Sequence, residues 1–231
     1  MRPSRRAFLS ALAGLPVMAA FPGWAIGPEG ALIVIDVQKC FTEGGTLAVP
    51  RGDEVVPVIN TLARRFANVV LTQDWHTADH VSFASQHAGQ RPFETIALPY
   101  GRQVLWPDHC VMGTEDAALH PGLAIPGAQL IIRKGYNRGV DSYSAFLEAD
   151  RTTPTGLEGY LRLRRITQLY LCGLATDFCV AWSALDARRL GFEVAVVEDA
   201  CRAIDLQGSL DRAWAEMTAA GVRRVQSADI V

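Results

Sequence analysis

Apolar residues fall along this chain in short runs of strand length, separated by stretches with helical spacing. Residues 31–37 (ALIVIDV) are almost continuously apolar, as expected of a strand buried on both faces. Residues 55–66 (VVPVINTLARRF) carry the spacing of a helix, with Pro57 acceptable in a first turn. A second strand starts at Val69, a third is expected over 129–134 (QLIIRK), a fourth over 168–173 (QLYLCG), a fifth over 193–197 and a sixth over 224–227. Helices are expected over 156–164, 177–190 (DFCVAWSALDARRL) and 209–220. Between 76 and about 126 the pattern breaks down into Gly, Pro and His, and a loop of that length is functional or holds short elements of its own. Strands alternating with helices predict a single α/β domain over residues 27–231, a three-layer sandwich around a mostly parallel six-stranded sheet.

The chain has 231 residues, 49% of them hydrophobic and 20% charged, which suits one sizeable core. Its net charge of −2 is spread without a basic block, which argues against a nucleic-acid partner. Residues 1–26 differ from the rest: a basic start, an apolar stretch over 7–20, then small residues near Ala25. That is the layout of an export signal, too short in its apolar part for a comfortable membrane span. The segment Ser4-Arg5-Arg6-Ala7-Phe8-Leu9 resembles a twin-arginine signal, with cleavage expected after Ala25 and a periplasmic or otherwise exported product that keeps no membrane association. An uncleaved anchor or a misplaced start codon, with a cytoplasmic protein, is the alternative. Five cysteines (Cys40, Cys110, Cys172, Cys179 and Cys201) without CxxC spacing predict neither a disulfide framework nor a zinc ribbon.

In open α/β sheets ligands bind beyond the carboxyl ends of the strands. Reactive side chains stand at four of these ends: Asp36 after the first, Asp74 and His76 after the second, Lys134 after the third, and Cys179 in the helical turn after the fourth. A helix N-terminus and a nearby ammonium favour a thiolate at Cys179. A carboxylate at Asp36 could take the thiol proton and return it to a leaving group, and backbone N–H groups around Ala175 and Cys179 suit an oxyanion. Taken singly, each is equally a buried small hydrophobe, a surface charge or a cap; their coincidence at strand ends points to chemistry. Asp74 and His76, two apart on an extended strand, can face one ion. Three such ligands would leave open positions, as in a working metal site. Carboxylate plus imidazole suits zinc first, with iron or manganese as alternatives.

The set IDVQKCF, TQDWH, WPDHC, RKG…DSYSAF and CGLATDFCV, spread from about Ala31 to the C-terminus, resembles the nicotinamidase/pyrazinamidase group of the isochorismatase-like cysteine hydrolases. The resemblance implies a triad of Asp36, Lys134 and Cys179, and a cis peptide before Ala175. It also implies an oxyanion hole from the N–H groups of Ala175 and Cys179. His109 matches the third metal ligand, and Phe41, Trp106 and Tyr143 match aromatic positions lining the nicotinamide pocket. The implied reaction is hydrolysis of nicotinamide, and of pyrazinamide, to the acid and ammonia through a cysteine thioester. In the family this serves NAD salvage, with the metal orienting the pyridine nitrogen. Thr77 stands where many members have proline, and the leader departs from a group that usually works in the cytosol. His80 is a further candidate, as fourth ligand or as support behind the ligands. His76-Thr77-Ala78-Asp79-His80 has metalloprotease spacing but lacks the required Glu. His87 and His120 carry no role beyond surface or loop. Two other classes stay open: a related cysteine amidohydrolase for carbamoyl or ureido compounds, whose members generally lack the Asp/His/His set, and a non-catalytic exported binding protein.

Overall fold

A computed structural model describes residues 26–230, so residues 1–25, which carry the expected export signal, lie outside the described residues. The chain runs β1 (Gly30–Ile35), α1 (Val55–Ala63), β2 (Val69–Asp74), β3 (Thr95–Leu98), β4 (Gly101–Val104), β5 (Leu130–Lys134), α2 (Leu157–Leu163), β6 (Gln168–Leu174), α3 (Ala181–Arg189), β7 (Glu193–Arg202), α4 (Ser209–Ala219) and β8 (Arg223–Val225). Six strands form one sheet in the order β5-β2-β1-β6-β7-β8, and every pairing in it is parallel. Each expected strand and helix is present, within a few residues of its expected ends. The largest extension is at β7, which continues to Arg202 past an irregularity in its pairing with β6.

Burial follows the sequence pattern. All six residues of β1 are buried, because β1 is flanked by strands on both edges and covered on both faces. On α1 the buried stripe is Val55, Val56, Ile59, Leu62 and Ala63, the i, i+4, i+7 face of an amphipathic helix. Burying each of its larger members contributes about 1.5–3 kcal/mol. From β1 the chain crosses through α1 to β2 on one side, whereas from β6 it crosses through α3 and α4 to β7 and β8 on the other. Right-handed crossovers in opposite directions put α1 on one face and α2, α3 and α4 on the other, which completes the three layers. They also make the β1/β6 boundary the point where the connections diverge, and a crevice opens there beyond the strand ends. Asp36 and Cys179 follow these two strands.

The long irregular segment contains one regular element that its composition concealed. Residues Thr95–Leu98 and Gly101–Val104 form an antiparallel hairpin that turns at Pro99 and Tyr100. Isolated bridges (Gln38 with Leu119, His76 with Val111, Phe83 with Trp106) fasten this segment over the carboxyl ends of the sheet. No helix among the described residues is long and apolar enough to cross a membrane.

One expectation is corrected. Cys40 and Cys110 form a disulfide, with Cα atoms 5.6 Å apart across 70 residues of sequence, while Cys172, Cys179 and Cys201 are free and buried. Cysteine spacing could not reveal this pair, since the two residues meet only because the loops after β1 and β4 fold onto each other. Closing a loop of that length removes unfolded-state entropy equivalent to roughly 2–4 kcal/mol. Cys40→Ser is therefore expected to lower the unfolding free energy by about that amount in urea titrations without reductant. With dithiothreitol present, variant and parent should unfold together.

Candidate active site

The register of the sheet places the reactive groups. Asp74 and Lys134 are direct partners across β2 and β5, and Ile35 pairs with Gly173 across β1 and β6 immediately before Asp36. Gly173 has φ +117°, and a Cβ there would stand 2.1 Å from the Ile35 carbonyl oxygen, so only glycine lets the two strands approach this closely. Asp36 itself adopts φ 49°, which turns the chain sharply off the strand. The Thr72 hydroxyl holds it in place, accepting from the Asp36 N–H at 3.1 Å and donating to Asp36 Oδ1 at 2.6 Å.

Lys134 is fully buried, and its ammonium is the centre of the cluster. Nζ lies 2.8 Å from Asp36 Oδ2, donates to the Ser142 carbonyl at 2.9 Å and to Asp74 Oδ1, and stands 3.4 Å from Cys179 Sγ. Asp36, Asp74 and Cys179 each offer one ligand atom within 4.8 Å of the others. Burial alone would strip Lys134 of its proton, but the Asp36 and Asp74 carboxylates more than offset this and hold it well above the ordinary lysine range. Burial and the neighbouring Asp74 charge lift Asp36 to about 6, despite the opposing ammonium. Burial also pushes the Cys179 thiol well above its ordinary value, and Lys134 offsets only part of that. Cys179 and Asp36 thus flank the same ammonium, the thiol pushed up by burial and drawn down by Lys134.

Cys179 sits in a π-helical turn, Thr176–Val180, that leads into α3; sequence periodicity had merged the two into one helix. The Leu174–Ala175 peptide bond before this turn is cis. Asp177, buried in the same turn, accepts from the Ile204 and Asp205 N–H groups at 3.1 and 2.8 Å and from the Ser209 hydroxyl, so the turn is tied to the loop after β7.

The second cluster lies beside Lys134. Asp74 Oδ2 is 3.5 Å from His76 Nε2 and 4.0 Å from His109 Nε2. His76 Nδ1 meets the Gly135 carbonyl at 2.9 Å and His109 Nδ1 meets the Pro107 carbonyl at 2.8 Å. With each Nδ1–H donated to a carbonyl, each Nε2 turns its lone pair towards the same carboxylate oxygen, the arrangement a metal ion requires. Gly135, at φ +69°, backs the His76 ring, and a Cβ there would lie 2.4 Å from that ring. Burial and the neighbouring His76 hold His109 down at about 4, so it is neutral, as a ligand must be. One carboxylate and two imidazoles therefore fit a divalent cation with further positions open. Cys110, which also approaches Asp74 and His109, is taken up in the disulfide. His80 stands behind His76, with ring centroids 4.3 Å apart. Its Nδ1 meets the Ser82 hydroxyl at 2.8 Å and its Nε2 faces the Asn137 and Val140 carbonyls at 3.1 and 3.2 Å, so both nitrogens already have protein partners. His87 and His120 are elsewhere, on the Val81 carbonyl and on Asp53.

Both clusters open into one small pocket. Phe41, Trp106 and Tyr143 line it, with Ala175 and Cys179 at its reactive end and Asp74, His76 and His109 along one side. Asp141, Phe178, Leu47 and Ile204 also line it and were not anticipated. Phe178, next to the cysteine and edge-on to Trp106 at 4.9 Å, could have been suggested by its position in GLATDFCV. Gln38 is a further unanticipated residue: its amide pairs with both the N–H and the carbonyl of Asp74, fixing the start of the metal cluster.

Comparison with known proteins agrees with this geometry. The isochorismatase domain model matches residues 30–229. A nicotinamidase from Acinetobacter baylyi is 60% identical over 201 residues, 87% of this chain and 94% of that protein. A solved nicotinamidase pyrazinamidase from Acinetobacter baumanii superposes with a TM-score of 0.87 at 60% identity, over 88% of this chain and 98% of that one. A pyrazinamidase from Pyrococcus horikoshii, solved in complex with zinc, superposes with a TM-score of 0.70 at 35% identity, over 86% of this chain and 99% of that one. By fold, site and sequence, this chain belongs to the isochorismatase domain family.

Proposed function

We propose that the protein is a nicotinamidase, hydrolysing nicotinamide to nicotinate and ammonia and acting likewise on pyrazinamide. The observation that carries this reading is the buried Lys134 ammonium within reach of Asp36, Asp74 and Cys179, the last two lining a small aromatic pocket. Nicotinamidase relatives at high identity support the choice of substrate. The Asp74/His76/His109 set weighs against the carbamoyl and ureido amidohydrolases.

Asp36 takes the Cys179 proton as sulfur attacks the carboxamide carbon. The oxyanion is received by the backbone N–H groups of Ala175 and Cys179, and collapse breaks the C–N bond. Asp36 gives its proton to the departing ammonia, then takes one from water as that water attacks the thioester. Nicotinate leaves, and the proton returns to sulfur. Lys134 stays charged throughout and compensates the negative charge that moves between Asp36 and Cys179. Phe41, Trp106 and Tyr143 enclose the ring. A divalent metal held by Asp74, His76 and His109 supplies a Lewis-acidic anchor for the ring nitrogen, and the zinc in the Pyrococcus pyrazinamidase makes zinc our choice of ion. His80 supports His76 from behind. Residues 1–26 carry a twin-arginine signal ahead of the hydrolase domain at 27–231, which makes the periplasm its site of action.

Ammonia release from nicotinamide by purified protein, with metal content measured on the same sample, tests the reading directly. Turnover is expected in the parent, and none above background in Cys179→Ala; a Cys179→Ala enzyme that still turns over would remove the thioester route. Because Asp36 must be ionised to accept the thiol proton and titrates at about 6, kcat/KM should be level above that pH. Below it, kcat/KM should fall about tenfold per pH unit. A fusion of residues 1–30 to a reporter should be exported, and changing Arg5 and Arg6 to Lys should abolish this.

A further inference from the structure

Tyr143 was expected to line the pocket as an aromatic wall, yet its hydroxyl has an asymmetric set of partners. Trp106 Nε1 donates to the Tyr143 oxygen at 2.9 Å, and Gln103 Nε2 lies 2.8 Å from the same oxygen. Indole and amide nitrogens only donate. Among the described residues, the hydroxyl therefore has two donor groups beside it and no acceptor for its own proton. Its own proton is unspent, and the ring stands on the pocket wall with Cys179 and the metal cluster.

Gln103 enforces this polarity. It is fully buried on β4, in the hairpin that sequence patterning missed. Its Oε1 accepts from the Tyr100 hydroxyl at 3.0 Å, and its Nε2 faces the Val104 carbonyl at 2.7 Å, Asp141 Oδ2 at 2.6 Å and the Tyr143 oxygen. Reversing the amide would set its oxygen against the Val104 carbonyl and the Asp141 carboxylate, so the donor end stays towards the pocket. Asp141 is tied down from its other oxygen by the Ser142 N–H at 2.8 Å. Burial and the adjacent Asp141 charge keep the phenol protonated, well above its ordinary range.

We propose that Gln103 is a positioning residue for the reaction: by donating towards Tyr143 and Asp141 it makes the Tyr143 hydroxyl a one-way hydrogen-bond donor aimed at an acceptor atom of the bound amide. This rests on the nicotinamidase reading. It assigns to the hairpin, none of whose residues lines the pocket, control over how tightly the substrate is held. The effect is on binding, since neither residue touches the Asp36–Cys179 proton path.

A double-mutant cycle with Gln103→Met, close to isosteric, and Tyr143→Phe tests it. Losing one hydrogen bond to the ligand should raise KM for nicotinamide roughly 5- to 10-fold in either single variant, with kcat changed less than about twofold. The double variant should be no worse than Tyr143→Phe alone. If Gln103→Met raises KM by the same factor with and without the Tyr143 hydroxyl, or lowers kcat with KM unchanged, the assignment is overturned. The same variants titrated with nicotinate by calorimetry should show the same non-additivity in Kd, a readout that stands if Gln103→Met turns over poorly. A parent enzyme that releases no ammonia would count against the nicotinamidase reading, whereas the nicotinate titrations decide the role of Gln103 separately.

Discussion

Two carboxylates and a thiol share one buried ammonium, and most of the site follows from that. Asp36 and Asp74 could not both remain ionised in the sheet's interior without Lys134, whose charge offsets the desolvation each suffers. The arrangement is tight because the parallel register delivers Asp74 and Lys134 as cross-strand partners, and Asp36 from the next strand over. No loop has to close to assemble it. The same ammonium borders both clusters: Asp36 and Cys179 on one side, and Asp74, beside His76 and His109, on the other.

The covalent and metal clusters divide the work between strand ends and loops. Asp36, Asp74 and Lys134 stand at the ends of β1, β2 and β5, where backbone position is set by hydrogen-bonded ladders. His109, Trp106 and the β3–β4 hairpin come from the long segment folded over these ends, which is fastened by isolated bridges and by the Cys40–Cys110 disulfide. That disulfide joins the residue before Phe41 to the residue after His109. One covalent link therefore ties a wall of the pocket to the imidazole beside Asp74.

Legibility in the sequence tracked how local the cause was. Continuous apolar runs showed the central strands, because burial on two faces leaves few polar positions, and strand ends then pointed to Asp36, Asp74, Lys134 and Cys179. His109, Phe41, Trp106 and Tyr143 came through resemblance, since nothing in their immediate neighbourhood marks them. Asp141 and Gln103 were not legible: a carboxylate in a loop and a glutamine on a short strand look like solvent-facing residues until the hairpin folds inward. The disulfide escaped for a related reason, its partners being 70 residues apart with no spacing to read. The π-turn at Thr176–Val180 was missed because it shares its apolar periodicity with the helix that follows.

The divergence of connections at the β1/β6 boundary has a consequence for how such an enzyme can change. The spacing between Asp36 and Cys179 is set by two neighbouring strands paired up to Ile35 and Gly173, in the middle of the sheet. Of the walls, Trp106, His109, Asp141 and Tyr143 come from segments attached elsewhere. Bond-breaking chemistry and ligand preference are therefore mechanically separable. Insertions or exchanges in the covering segment can redraw what enters the pocket, while the geometry that cleaves an amide is inherited intact with the sheet.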